Sequence, residues 1–135
     1  MEHNISKILI SVLQKYGIEY VLNENLRDDL TIAINIEDDF PNINITNLVE
    51  EFWIWSVLCD CNEYYLKFNI DEFLSFFLNI EEGVFYLGQP TLKEVDGKIE
   101  LRAKIKNESL VSVENFIEMI ETYYFFLKKY LEFFI

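Results

Sequence analysis

Residues 42–58 read NINITNLVEEFWIWSVL. Ile43 and Ile45 alternate with asparagines, and after a short connection near Val49, Glu50 and Glu51 the run from Phe52 to Leu58 is dense in aromatic and β-branched residues. Two such segments so close in sequence pair as an antiparallel hairpin. Side chains alternate across a strand, so Trp53 and Trp55 share one face while Phe52 and Ile54 take the other. Both faces of this strand are apolar, and at least one of them has to meet something besides loops.

Toward the N-terminus, Leu30, Ile32, Ile34 and Ile36 alternate with Thr31, Ala33 and Asn35, which predicts a further strand. The acidic run at positions 37–39 with Phe40 and Pro41 reads as the turn that joins it to the hairpin, and a polar stretch over 23–29 precedes it. Before that, Ile5, Ile8, Leu9, Val12, Leu13 and Tyr16 recur at spacings of three and four, the face of a helix with Asn4 as N-cap and Gly17 as its stop.

Toward the C-terminus, a helix is predicted over 64–80. Leu66, Ile70, Phe73, Leu74, Phe77 and Ile80 share one face, but Phe68, Phe76 and Leu78 fall outside it, so this helix is covered on more than one side. A strand over 84–92 follows, then a tight turn at Asp96 and Gly97, where glycine supplies positive φ. The return strand sets Ile99, Leu101, Ala103 and Ile105 against Glu100, Arg102 and Lys104. Ser112 caps a last helix whose stripe is Val113, Phe116, Ile117, Ile120, Tyr124, Leu127, Leu131 and Phe134, opposed by Glu114, Glu118, Glu121 and Glu132. The predicted order is α-β-β-β-α-β-β-α in one α+β domain over 1–135, an antiparallel sheet packed against helices.

Composition narrows what such a domain can do. The 135 residues carry a net charge of -13, which repels nucleic acid and anionic membrane surfaces. Yet 51% of them are apolar and 16% aromatic, unlike a disordered acidic tail. No apolar run approaches the about 18 residues of a membrane span, and the start lacks the basic head and apolar middle of a signal peptide, so the chain is expected in the cytosol. Cys59 and Cys61 have no second Cys or His pair to complete a zinc site and read as reduced thiols.

Catalytic constellations are missing as well. His3 is the single histidine, at the chain end, and supplies no base for Cys59 or a serine. With only 4 glycines there is no phosphate-cradling loop, and the acids at Asp28-Asp29, Glu37-Asp38-Asp39, Glu50-Glu51 and Glu81-Glu82 sit in turns without the alternating spacing of a calcium loop. Neither a cofactor nor a metal is expected.

The hairpin with its Trp53-Ile54-Trp55 core, the aromatic helix after it, Leu87-Gly88, and the return strand beginning Lys98-Ile99-Glu100-Leu101 resemble the type III secretion chaperones of the InvB/SpaK kind. The likeness covers about the whole chain in element order, while the loop over 18–29 shows no clear match to it. It implies a cytoplasmic bacterial protein without ATPase activity. Such a protein is a homodimer that holds the N-terminal segment of one or more secreted effectors extended, for delivery to the secretion ATPase.

Under that reading the candidate effector-binding residues are Ile10 and Leu13 on the first helix and Ile32, Ile34, Ile43, Ile45, Trp53 and Trp55 on the sheet, offering apolar pockets to an extended peptide. The candidate dimer interface is Phe68, Phe73, Phe76, Phe77 and Leu78, with Phe73 and Phe77 turned to the home sheet and the others outward. A two-sided core is the competing reading of the sheet residues. The competing function is an acidic immunity or antitoxin-type protein that neutralises a basic toxin by charge complementarity. A small enzyme on this scaffold would need convergent polar groups in a pocket, of which the sequence gives no sign.

Overall fold

The hairpin at 42–58 lies at the centre of a six-stranded antiparallel sheet, and the rest of the molecule is arranged around it. The computed structural model describes residues 19–24, 30–36, 38–48, 51–60 and 70–134. Its strands are β1 (Glu19–Glu24), β2 (Leu30–Asn35), β3 (Ile43–Leu48), β4 (Glu51–Asp60), β5 (Thr91–Val95) and β6 (Lys98–Lys104), in the spatial order β1-β2-β3-β4-β6-β5. Two helices, α1 (Ile70–Leu78) and α2 (Val113–Phe133), and a 3-10 turn (Asn107–Leu110) complete the described elements. The α+β class and the antiparallel sheet are as the sequence predicts; the first predicted helix lies outside the described residues.

Two local expectations change. Residues 19–24 form an edge strand that pairs with β2 from Glu19↔Asn35 to Glu24↔Leu30, so the sheet has six strands where the pattern predicts five. Polar flanks hide this strand in the sequence, because its regularity comes from the ladder that β2 offers. The strand expected over 84–92 contracts to one bridge, Phe85↔Ile105, followed by β5 from Thr91. Gly88 takes a φ of 83°, the Gln89 N–H turns back to the Tyr86 carbonyl at 3.0 Å, and Pro90 has no N–H to give a ladder.

The turns behave as their chemistry demands. Asp96 and Gly97, at φ 51° and 79°, make the two-residue β5–β6 turn whose backbone twist matches the flanking strands. Asp39, at φ 64°, bends the chain between β2 and β3, a conformation that aspartate tolerates better than most residues.

One face of the sheet carries the core. Ile32 and Ile34 of β2, Ile43 and Ile45 of β3, Ile54 of β4, and Leu101 and Ala103 of β6 are all 0–3% exposed, and they pack with Phe116, Met119, Tyr123, Leu127, Tyr130 and Phe133 of α2. Of the stripe read from the sequence, Phe116, Leu127 and Phe134 are buried as expected, but the buried line of α2 also takes in Met119, Tyr123, Tyr130 and Phe133, which that stripe left out. Ile117, Ile120, Tyr124 and Leu131 flank it half-buried. The Tyr123 hydroxyl can be buried because it donates to the Leu101 carbonyl (2.9 Å) and accepts from Ser56 Oγ (3.0 Å). Ser112 caps α2 as predicted, its Oγ accepting from the Asn115 N–H at 3.1 Å.

Candidate functional site

Opposite that core lies the outer face of the sheet, built by the residues that alternate with the buried ones. Register fixes its membership: Thr46 pairs with Trp53 and Asn44 with Trp55 on one side, while Trp53 pairs with Lys104 and Trp55 with Arg102 on the other. Trp53 and Trp55 are half-buried, and neither belongs to the hydrophobic core or packs against it. What partly covers them is each other's strand neighbours.

Both indoles are held by hydrogen bonds. The Trp55 Nε1–H donates to Thr46 Oγ1 at 3.0 Å, and that oxygen is also 3.0 Å from Thr31 Oγ1. The Trp53 Nε1–H donates to Glu51 Oε1 at 3.2 Å, and the other Glu51 oxygen meets Lys104 Nζ at 3.1 Å. Those two donors hold the Glu51 carboxyl below the usual carboxylate range, the Lys104 hydrogen bond most of all. Satisfied indole nitrogens leave the apolar ring faces as the surface on offer.

Cations sit among the rings. The Arg102 guanidinium stacks over Trp53 at 5.0 Å, and Lys104 and Lys106 reach over Tyr86 at 5.8 and 5.2 Å. Glu100, next along the face, has its carboxyl pushed up by burial, an effect the Arg102 charge partly opposes. The sequence reading did not single out Tyr86 or these cations. Their signal was the polar alternation of the return strand, but only the register of β6 against β4 reveals that they line up with the tryptophans.

The predicted site residues separate into groups. Ile32, Ile34, Ile43 and Ile45 lie on the inner face beneath α2, so the expectation that they share a binding surface with Trp53 and Trp55 is corrected: opposite parity on paired strands puts the two sets on opposite faces. Phe76, expected to face outward, packs instead against Tyr130 (5.6 Å) and Phe133 (5.7 Å) of α2. Phe73 stacks edge-on against Phe133 at 5.4 Å, and Phe77 lies 6.2 Å from Phe73. Leu78 alone of the described interface candidates is open, 73% exposed. Ile10, Leu13 and Phe68 lie outside the described residues, as does Cys61; Cys59 is half-buried on β4.

Beside α1 runs a groove of about 510 Å³ lined by Phe76, Ile80, Val84, Phe85, Phe125 and Phe126 among others, with Phe125 half-exposed at its edge. Among the described residues no group of His, Cys, Asp and Glu could hold a metal ion, and no helix is long and apolar enough to cross a membrane. The arrangement offers aromatic and cationic surface on a rigid sheet, the means of holding another chain.

Fold and face together describe an antiparallel sheet with helices on one side and an aromatic, cation-bearing surface on the other. The family model of the Invasion protein B family matches residues 17–96, more than half of the 135-residue chain, and the chain belongs to that family. The matched span contains both tryptophans and ends before β6. Membership makes this chain a non-catalytic type III secretion chaperone of the bacterial cytoplasm, which binds the N-terminal segments of effectors, and selects that reading over an acidic toxin inhibitor. A comparison with curated proteins found no match.

Proposed function

We propose that the effector segment lies extended across the outer face of the sheet with Trp53 and Trp55 as its apolar anchors. The observation that carries this is the position of two tryptophans on the face that the core does not use. A large aromatic that makes no core contact serves best as a docking surface, since its rings bury much area at little entropic cost. The segment's backbone stays extended because the surface it meets is a pleated sheet with an alternate pattern of pockets.

The same proposal has the chaperone working as a homodimer that presents the loaded effector to the secretion ATPase. Leu74 and Leu78 on α1 and Phe125 on α2 leave apolar surface open around the groove beside α1. A second copy burying this surface would remove an aggregation risk and leave both outer faces free.

The test is co-expression with N-terminal fragments of the effectors encoded beside the gene, read by size-exclusion chromatography with light scattering. Wild type is expected near twice 16.2 kDa and to retain a fragment. Trp55→Asp should keep the dimer mass and lose the fragment. Undiminished capture by that variant would rule out the outer face as the site.

A further inference from the structure

The net charge of -13 suggests a partner segment rich in cations, but charge is not spread evenly over this molecule. Among the described residues the cations are Lys93, Lys98, Arg102, Lys104, Lys106, Lys128 and Lys129, and the first five lie on β5, on β6 or just after it. Arg102 and Lys104 stand directly beside the tryptophans in the β4–β6 register. A segment that crosses this face therefore meets cations interleaved with the carboxylates of Glu51 and Glu100, in a chain that is acidic as a whole.

Three of the five cations on or beside β5 and β6 are already matched: Lys98 with Asp60 (2.7 Å), Lys104 with Glu51 (3.1 Å) and Lys106 with Glu82 (3.0 Å), while Lys93 lies opposite Glu100 in the β5–β6 register. Arg102 differs. Among the described residues it forms no ion pair, and its Nε, shut off from solvent, has no hydrogen-bond partner. Its half-buried guanidinium therefore brings to the face a positive charge that no carboxylate of the described residues neutralises by direct contact, and an incoming carboxylate would gain a charge-assisted hydrogen bond there. Its contact with the Trp53 ring, 5.0 Å from the centroid, restrains the guanidinium, and a restrained group loses less entropy when it engages a planar carboxylate.

We infer that Arg102 is the specificity residue of this face, pairing with an Asp or Glu side chain of the effector segment while neighbouring apolar residues of that segment cover Trp53 and Trp55. The inference rests on the outer face being the effector site. It assigns the bound segment a chemistry, apolar positions interrupted by a carboxylate at the Arg102 position, despite the acidity of the chaperone as a whole.

A charge swap tests this better than a salt titration, because added salt also screens the repulsion between an acidic segment and an acidic chaperone. Affinity for a captured N-terminal effector fragment would be measured with wild type, Arg102→Gln, Arg102→Glu and Trp55→Asp, each checked for unchanged dimer mass and circular dichroism. Arg102→Glu is expected to weaken binding tenfold or more, Arg102→Gln by less. One Asp→Lys or Glu→Lys change in the fragment should restore binding to Arg102→Glu while weakening it to wild type. If Arg102→Glu binds as wild type does, or if its loss is restored by no single swap, the proposal is overturned. In that event Trp55→Asp separates the two readings, since loss of binding there keeps the face as the site and retained binding removes it.

Discussion

Ile54 and Trp55 are chain neighbours on one strand, both large and apolar, and the fold puts them to opposite uses. Ile54 is 0% exposed in the core beneath α2, while Trp55 lies half-buried on a face that the core does not reach. The inner face is chemically simple, mostly branched aliphatic side chains against helix aromatics. The outer one mixes indoles, threonines, lysines and an arginine, each polar group placed near a ring or a partner. Hydrophobicity alone therefore does not distinguish a closed face from an open one. Polar company does, because a buried face can hold few polar groups and an open face can hold many, leaving some to a partner.

The largest expected effect tests that contrast on its own strand. Ile54→Ala should cost about 2–5 kcal/mol in denaturant unfolding, the usual cost of a cavity in a closed core. Trp55→Ala should cost no more than about 1 kcal/mol, the size of a cross-strand pair, although it removes far more atoms. Equal losses would mean that the outer face is as closed as the inner one, and the comparison would fail.

Two tyrosines of α2 sharpen it within the core. Tyr123 and Tyr130 are both 0% exposed, and burial pushes both phenols well up, but only Tyr123 has hydrogen-bond partners among the described residues. Tyr123→Phe strands Ser56 Oγ and should lose about 1–2 kcal/mol. Tyr130→Phe relieves an unpartnered hydroxyl that Phe73 and Phe76 crowd edge-on, and should be neutral or stabilising. In thermal melts Tyr123→Phe should lower the midpoint and Tyr130→Phe should hold or raise it; a comparable drop in both would contradict the pairing difference.

Ser112→Ala probes the helix that makes one face inner. Loss of the Oγ acceptor for the Asn115 N–H should cost about 1 kcal/mol. The loss should appear in the unfolding midpoint and leave effector capture by folded protein unchanged, because α2 packs on the face away from the tryptophans.

How much of this was legible beforehand follows from how local each signal is. The hairpin at 42–58, the Asp96-Gly97 turn and the Ser112 cap depend on residues next to one another, and they stand as read. Strand β1 did not show, since Tyr20, Val21 and Leu22 make too short a run between polar residues until β2 pairs with it. The stripe of α2 left out Tyr123 because a tyrosine reads as a half-exposed residue until Ser56 and the Leu101 carbonyl are found for it, 67 and 22 residues away in sequence. The proposed site was half legible. Trp53 and Trp55 were found by parity on one strand, but the four isoleucines were assigned to the same surface because parity between strands depends on register, which a sequence does not display. Arg102 did not show as a candidate for the same reason: its place beside Trp55 is a fact of pairing across 47 positions.

The smallest expected effect belongs to Glu100, which lies on the outer face opposite Val57 and next but one to Arg102 along β6. Burial raises its carboxyl above the value of about 4.3 that an unfolded chain gives it, with the Asp96 charge adding to the rise and Arg102 opposing it. Between those two values the folded state binds more protons than the unfolded one, so stability falls as pH rises through that window. Glu51 works in the other sense: its lowered carboxyl contributes stability above the ordinary Glu value that is lost as pH falls through the folded one. Glu100→Gln removes only the first contribution. The variant should melt slightly higher than wild type at pH 7, and the difference should close below about pH 4, where the wild-type carboxyl is protonated in both states. Removing this acid also removes the one that competes for Arg102 on its own strand, so the variant should bind an acidic effector segment more tightly at pH 7. A higher melting temperature with unchanged affinity would confine Glu100 to stability and weaken the case that Arg102 reads a carboxylate.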